Sequence, residues 1–218
     1  MRVQTFALLA VALMLALLPR GLTATAGDRS VRIVVLGDSL TAGLGLPADE
    51  AFPAKLERAL KAKGLAIEVI NAGVSGDTAA GGLARLDWSV PEGTDAVILE
   101  LGANDMLRGI DPKLTRQALE EIVRRLAARG VPVLLVGMRA AANLGNDYRR
   151  DFEALYSELA GRYDLLLYPF FLDGVAGEAG LNQSDGLHPT AAGVDAIVAR
   201  ILPKVEELVR RARHGRAM

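Results

Sequence analysis

A serine in a glycine-flanked turn, an aspartate three residues ahead of a histidine, a small glycine loop and an asparagine amide could together perform acyl transfer. Ser39 stands in VVLGDSLTAGLG, where an apolar run stops at Gly37. Alone, this stretch admits three uses of the serine: a nucleophile, part of a phosphate-binding loop, or the entry to a helix. An alkyl hydroxyl is a poor nucleophile at neutral pH. The first use therefore needs a base within hydrogen-bond reach and usually a carboxylate that orients the base. The chain has two histidines, and His214 lies in a basic tail beside Gly215 and Arg216, so the candidate base is His188.

His188 occurs in SDGLHPT, with Asp185 three positions earlier and Pro189 immediately after. Proline disfavours the helical conformation at the preceding residue, so one compact loop can hold the carboxylate against one imidazole nitrogen and free the other. The plainer alternative is that Asp185 caps a turn and His188 merely precedes a helix. A tetrahedral intermediate also needs hydrogen-bond donors for its oxyanion, each typically worth about 10² to 10³ in rate. Gly76 in VSGDT offers an unobstructed backbone N–H, and Asn104 in LGAND a side-chain amide. Glycines in tight turns and Asn-Asp pairs at helix caps are common for structural reasons, so each is weak alone.

These residues need a scaffold that brings them together. Apolar runs rich in Val, Ile and Leu recur at 31–36, 67–70, 96–101, 133–136 and 165–167, and read as five buried strands. Between them FPAKLERALKAKG, PKLTRQALEEIVRRLAARG and YRRDFEALYSELAGRY carry apolar residues at three- and four-residue spacing with charges opposite, and read as helices. Asp111-Pro112 is an N-cap and first-turn pair, while Gly64 and Gly130 stand at helix ends. Strands alternating with helices imply a parallel sheet covered on both faces, a three-layer α/β/α sandwich. In such sheets ligands bind beyond the carboxyl ends of the strands. GDSL, SGDT, GAND and the loop holding DGLHP all fall on that edge.

The ordered blocks GDSL, SGDT, GAND and DGLH resemble those of the SGNH, or GDSL, hydrolases, from the first strand to the last helix. GLARL, ELGAND with LRG soon after, MRAAANLG, and LYPFF before DGLHP are similar to the bacterial periplasmic thioesterase, lysophospholipase and arylesterase branch. The resemblance implies a flavodoxin-like sheet of five parallel strands in the order 2-1-3-4-5. It also implies a serine esterase acting on carboxylic esters or thioesters: Ser39 the nucleophile, His188 general base and acid, and Asp185 its orienting carboxylate. The oxyanion hole would be the Ser39 N–H, the Gly76 N–H and the Asn104 side chain. Ala103 occupies a position where many relatives carry glycine. Asp38 and Asp105 are expected to brace their loops. A carbohydrate O-deacetylase or a non-catalytic lipid- or carbohydrate-binding relative is the alternative.

Other scaffolds fit less well. Gly73-Val74-Ser75-Gly76 continues with Asp77 where a GxSxG elbow needs its second glycine. GDSLTAGLG lacks the Walker lysine and is not a dinucleotide GxGxxG. With two histidines, no HExxH and no cysteine, neither a metal nor another cofactor is expected, and disulfides and thiol catalysis are excluded.

The chain opens with Arg2, an apolar run from Phe6 to Leu18, and small residues Ala24 and Ala26. That run is shorter than the roughly 20 residues of a membrane-spanning helix, so 1–26 reads as a signal peptide. Residues 27–218 then form a single domain, periplasmic or secreted, with no permanent membrane span. Lys plus Arg number 25 against 26 Asp plus Glu, which gives no reason to expect nucleic acid. The partner is a small acyl ester or thioester, and the protein a monomer. The basic run RRARHGRAM reads as a helix end whose cations complement the helix dipole. MRAAANLGNDYRR, leaving the fourth strand at the active edge, is expected to border the acyl groove. Trp88, Phe52, Tyr148 and Tyr156 are expected to be packing residues.

Overall fold

In the computed structural model, which describes residues 29–216, strands and helices alternate as the hydrophobic pattern requires. The expected signal peptide lies outside the described residues. The strands are β1 (Val31–Gly37), β2 (Ile67–Gly73), β3 (Ala96–Glu100), β4 (Val133–Val136) and β5 (Leu166–Tyr168). The helices are α1 (Ser39–Ala42), α2 (Phe52–Ala62), α3 (Ala79–Ala84), α4 (Leu86–Ser89), α5 (Ala103–Leu107), α6 (Pro112–Ala128), α7 (Asn146–Tyr163) and α8 (Ala191–Arg216).

The strands make one parallel sheet in the order β2-β1-β3-β4-β5. Every residue of β3 and β4 is buried, the pattern of strands covered on both faces, whereas the edge strand β2 is largely half-buried. Helices α2 and α8 pack together on one side, and α3, α6 and α7 on the other. The Asp111 side chain accepts the Lys113 N–H at 2.9 Å, and Pro112 opens α6, where its missing N–H costs nothing.

Backbone pairing carries β1 and β2 further than their apolar runs, because Asn71, Ala72 and Gly73 continue the ladder opposite Val35, Leu36 and Gly37, and Asn71 and the two glycines lack a hydrophobic signature. The last strand sits one residue later than its apolar run, with Tyr168 paired to Val136. The short helices α1, α3, α4 and α5 are too brief to show a helical period.

The register aligns the strand ends. Gly73, Gly37, Glu100, Val136 and Tyr168 form one row across the sheet. The residues that follow this row on β1, β2, β3 and β4 therefore leave the sheet on one edge. Strand order reverses between β1 and β3, which opens the crevice where doubly wound sheets bind ligands.

Candidate active site

Ser39 is the first residue of α1, immediately beyond the end of β1. The turn is held by Asp38, whose Oδ1 accepts the Leu40 N–H at 2.9 Å and caps the helix. Ser39 Oγ lies 2.9 Å from His188 Nε2, although 149 residues separate them in the chain. His188 Nδ1 lies 2.6 Å from Asp185 Oδ2. Because an ionised carboxylate only accepts, this contact puts the imidazole proton on Nδ1 and leaves Nε2 to accept the serine hydroxyl. Asp185 Oδ1 also accepts the N–H groups of His188 at 3.0 Å and Leu187 at 2.9 Å. The His188 N–H foremost, then that of Leu187 and the imidazole, hold the Asp185 carboxyl down to about 2.

The loop carrying this pair is tied to the serine side of the cleft. Gln183 Nε2 donates to Leu44 O at 2.7 Å and to Pro189 O at 2.9 Å, while the Gln183 N–H donates to His188 O at 2.7 Å. Beyond it the buried Lys55 ammonium of α2 reaches Ala191 O, Glu50 and Asp195, which pins the start of α8.

The three expected oxyanion donors line the same cleft. Gly76 has φ +85°, a conformation that L side chains rarely adopt. Neither its N–H nor that of Ser39 donates to a protein acceptor among the described residues. Asn104 differs: its Nδ2 donates to Asp38 Oδ2 at 3.0 Å and to Asp77 O at 2.9 Å. Both amide hydrogens are engaged, so an oxyanion would draw Asn104 by competing with the Asp77 carbonyl. Asp105 braces its loop as expected, accepting the Ala79 N–H at 2.9 Å and the Thr115 hydroxyl at 3.0 Å.

Two further residues support this edge. Glu100 ends β3 with its carboxyl wholly buried: Oε2 accepts the Thr41 hydroxyl at 2.7 Å, and Oε1 has no hydrogen-bond partner among the described residues. Gly37 makes room for it, since a Cβ there would fall 2.1 Å from Thr41 Oγ1 and 2.6 Å from Glu100 Oε2. Burial, with the Asp38 charge second, pushes the Glu100 carboxyl well above the carboxylate range. Burial likewise raises Asp38 to about 6, against the bonds from Leu40 and Asn104. Glu100 sits inside an apolar strand, and only its position in the register reveals that it lies under the turn that carries Ser39.

Arg85, the arginine of GLARL, is the second. Its buried guanidinium donates to Asp77 Oδ2 at 2.5 Å and to Gly37 O, Ala72 O and Ser89 Oγ, each at 2.9 Å. It therefore joins the ends of β1 and β2 to the loop that carries Gly76. The GLARL motif of the family resemblance was the available sign.

This edge opens on a cleft of about 440 Å³. Its walls are mostly apolar, with Leu44, Met106, Leu107, Met138, Phe170 and Leu172 among them. Arg139, Ala140 and Ala141 of the MRAAANLG stretch line it too, so that segment borders the cleft. Phe52 and Tyr156 are buried packing residues, Tyr156 also donating to Leu101 O at 3.0 Å, and Tyr148 stacks on Phe152. Trp88 departs from expectation: it is 73% exposed on α4, too short a helix to cover it. Among the described residues no cluster of His, Asp or Glu could hold a metal ion, and no helix is long and apolar enough to cross a membrane.

Comparison with known proteins places this geometry. A model of the GDSL-like Lipase/Acylhydrolase family matches residues 35–196. Esterase TesA of Pseudomonas aeruginosa is 39% identical over 178 residues, 81% of this chain and 89% of that protein. Thioesterase 1/protease 1/lysophospholipase L1 of Escherichia coli K12 is 37% identical over 178 residues, 81% of this chain and 84% of its own length. The crystal structure of AlinE4, an SGNH-hydrolase family esterase, superposes with a TM-score of 0.70 at 47% identity, covering 82% of this chain and 96% of its own.

Proposed function

This chain belongs to the GDSL-like lipase/acylhydrolase family, and from that premise we propose that it transfers acyl groups to water through an acyl-Ser39 intermediate. It is a hydrolase of ester and thioester bonds, the activity carried in the names of relatives called esterase, arylesterase and thioesterase/lysophospholipase. The observation that carries the mechanism is the continuous hydrogen-bonded path from Ser39 Oγ through His188 to Asp185, at 2.9 and 2.6 Å, opening into an apolar cleft.

Ser39 Oγ attacks the acyl carbon while His188 Nε2 takes the hydroxyl proton. Asp185 stabilises the imidazolium without itself taking the proton. The N–H groups of Ser39 and Gly76 and the Asn104 amide receive the oxyanion, Asn104 by releasing the Asp77 carbonyl. Collapse breaks the bond to the alcohol or thiol, which leaves with the proton from His188. Water then attacks the acyl-enzyme, giving one proton to His188, which returns it to Ser39 as the acid departs.

The mostly apolar walls favour an acyl chain over a sugar as the bound group. The N-terminal signal pattern supports a periplasmic or secreted location, and the protein acts as a monomer. Ser39→Ala should abolish turnover of 4-nitrophenyl esters and labelling by a fluorophosphonate while the melting curve stays within a degree or two of wild type. Retained turnover in that variant overturns the mechanism.

A further inference from the structure

Arg139 is the one arginine or lysine among the described residues that line the cleft. It stands just past the end of β4, and its guanidinium lies over the Phe170 ring, 4.8 Å from the centroid. The side chain makes no hydrogen bond or ion pair among the described residues. Glu153 of α7 accepts the N–H of the next residue, Ala140, at 3.3 Å.

This arrangement differs from the other arginines of the active edge. Arg85 spends its donors on Gly37, Ala72, Asp77 and Ser89, and Arg108 donates to Gly76 O at 2.7 Å. Arg139 spends none. Seating over an aromatic face restrains the guanidinium without a carboxylate partner, which leaves N–H donors for a ligand. Its exposure keeps the charge hydrated in the free protein, so an otherwise apolar wall carries a cation at little cost. A restrained, unpaired fork suits bidentate recognition of phosphate or carboxylate oxygens.

We propose that Arg139 is a specificity-determining residue that binds an anionic group carried by the acyl substrate. The inference rests on the reading of the cleft as an acyl-transfer site. The anion has two sources: a phosphate on the leaving group, as in an acyl-CoA thioester, or a carboxylate at the far end of the acyl chain.

Three substrates of equal acyl length separate them: 4-nitrophenyl octanoate, octanoyl-CoA and mono-4-nitrophenyl suberate. The quantity read is kcat/KM for each anionic substrate divided by that for the neutral ester. Arg139→Gln should lower this ratio by about 10- to 100-fold for the substrate whose anion reaches Arg139, and Arg139→Lys should restore part of it. In the wild type the same ratio should fall as salt is raised, a measurement that needs no variant. A fall with octanoyl-CoA assigns the anion to the leaving group, and a fall with the suberate ester assigns it to the acyl chain. Ratios that stay constant in the variants overturn the proposal, including the case where all three substrates lose activity by one common factor. Turnover of the neutral ester by wild type but not by Ser39→Ala shows that the acyl-transfer reading survives such a failure.

Discussion

Replacing Asp38 by asparagine should separate activity from stability, because the aspartate serves one at the expense of the other. Its Oδ2 accepts a hydrogen from Asn104 Nδ2 at 3.0 Å, while Oδ1 accepts the Leu40 N–H at 2.9 Å. An asparagine can keep only one of these acceptors. If its oxygen stays on Leu40, its amide faces the Asn104 amide, donor against donor, and Asn104 must turn its own oxygen inward. The oxyanion then loses a donor, and kcat should fall by about 10² to 10³ with KM within about threefold.

The stability effect has the opposite sign. Asp38 titrates at about 6 in the fold against 3.8 when unburied. Between about pH 4 and pH 6 the folded chain therefore holds a proton that the unfolded chain releases, and wild-type stability falls as pH rises through that window. The full cost above pH 6 is on the order of 3 kcal/mol. Asparagine removes that charge, but Glu100 ionises more readily without it and takes part of the gain back. On going from pH 4 to pH 8 the variant should gain about 1–3 kcal/mol relative to wild type, roughly 3–10 °C in Tm for a domain of this size. Melting curves at the two pH values and Michaelis kinetics on a 4-nitrophenyl ester are the assays. Unchanged kcat refutes the role of Asp38 in aiming Asn104, and a relative Tm that drops from pH 4 to pH 8 refutes the electrostatic argument.

Arg85→Met should leave the Asp77 carboxylate and two strand-end carbonyls without their buried partner, destabilising the fold by about 3–5 kcal/mol. Arg85→Lys should recover part of the stability yet show reduced kcat, since one ammonium cannot reach every acceptor; a lysine variant with wild-type kcat would show that the network is structural alone. Activity should also fall as pH drops through about 6, because a protonated Asp38 presents a hydroxyl where the carboxylate accepts from Leu40 and Asn104. Asp38→Asn should lack that part of the acid limb, and a pH–rate profile identical to wild type in the variant would contradict it.

Much of the site was legible because its parts occur in short, ordered blocks. With two histidines and no cysteine, the chemistry available to Ser39 was limited before any fold was considered. The spacing of Asp185 and His188 suited one loop, and their side chains meet at 2.6 Å. The five apolar runs and three amphipathic stretches led to a covered parallel sheet because burial on both faces writes a continuous hydrophobic signature. The short helices at the active edge, α1, α3 and α5, left no such trace, since their conformation is set by caps and by contacts with distant residues.

Composition and local pattern determined the class of sheet, the edge on which the GDSL, SGDT and GAND loops gather and the residue types available there, because burial and turn chemistry act over a few neighbouring residues. Only the tertiary structure decided that Ser39 and His188 meet across 149 residues, that Asn104 is already engaged by Asp38 and Asp77, and that Glu100 lies beneath the turn that carries Ser39. It also decided that Arg139 enters the cleft over Phe170 with no hydrogen bond or ion pair among the described residues, while Arg85 is consumed in bracing it. These facts depend on strand register and on which hydrogen bonds compete for one donor. Neither is written in the spacing of residues along a chain.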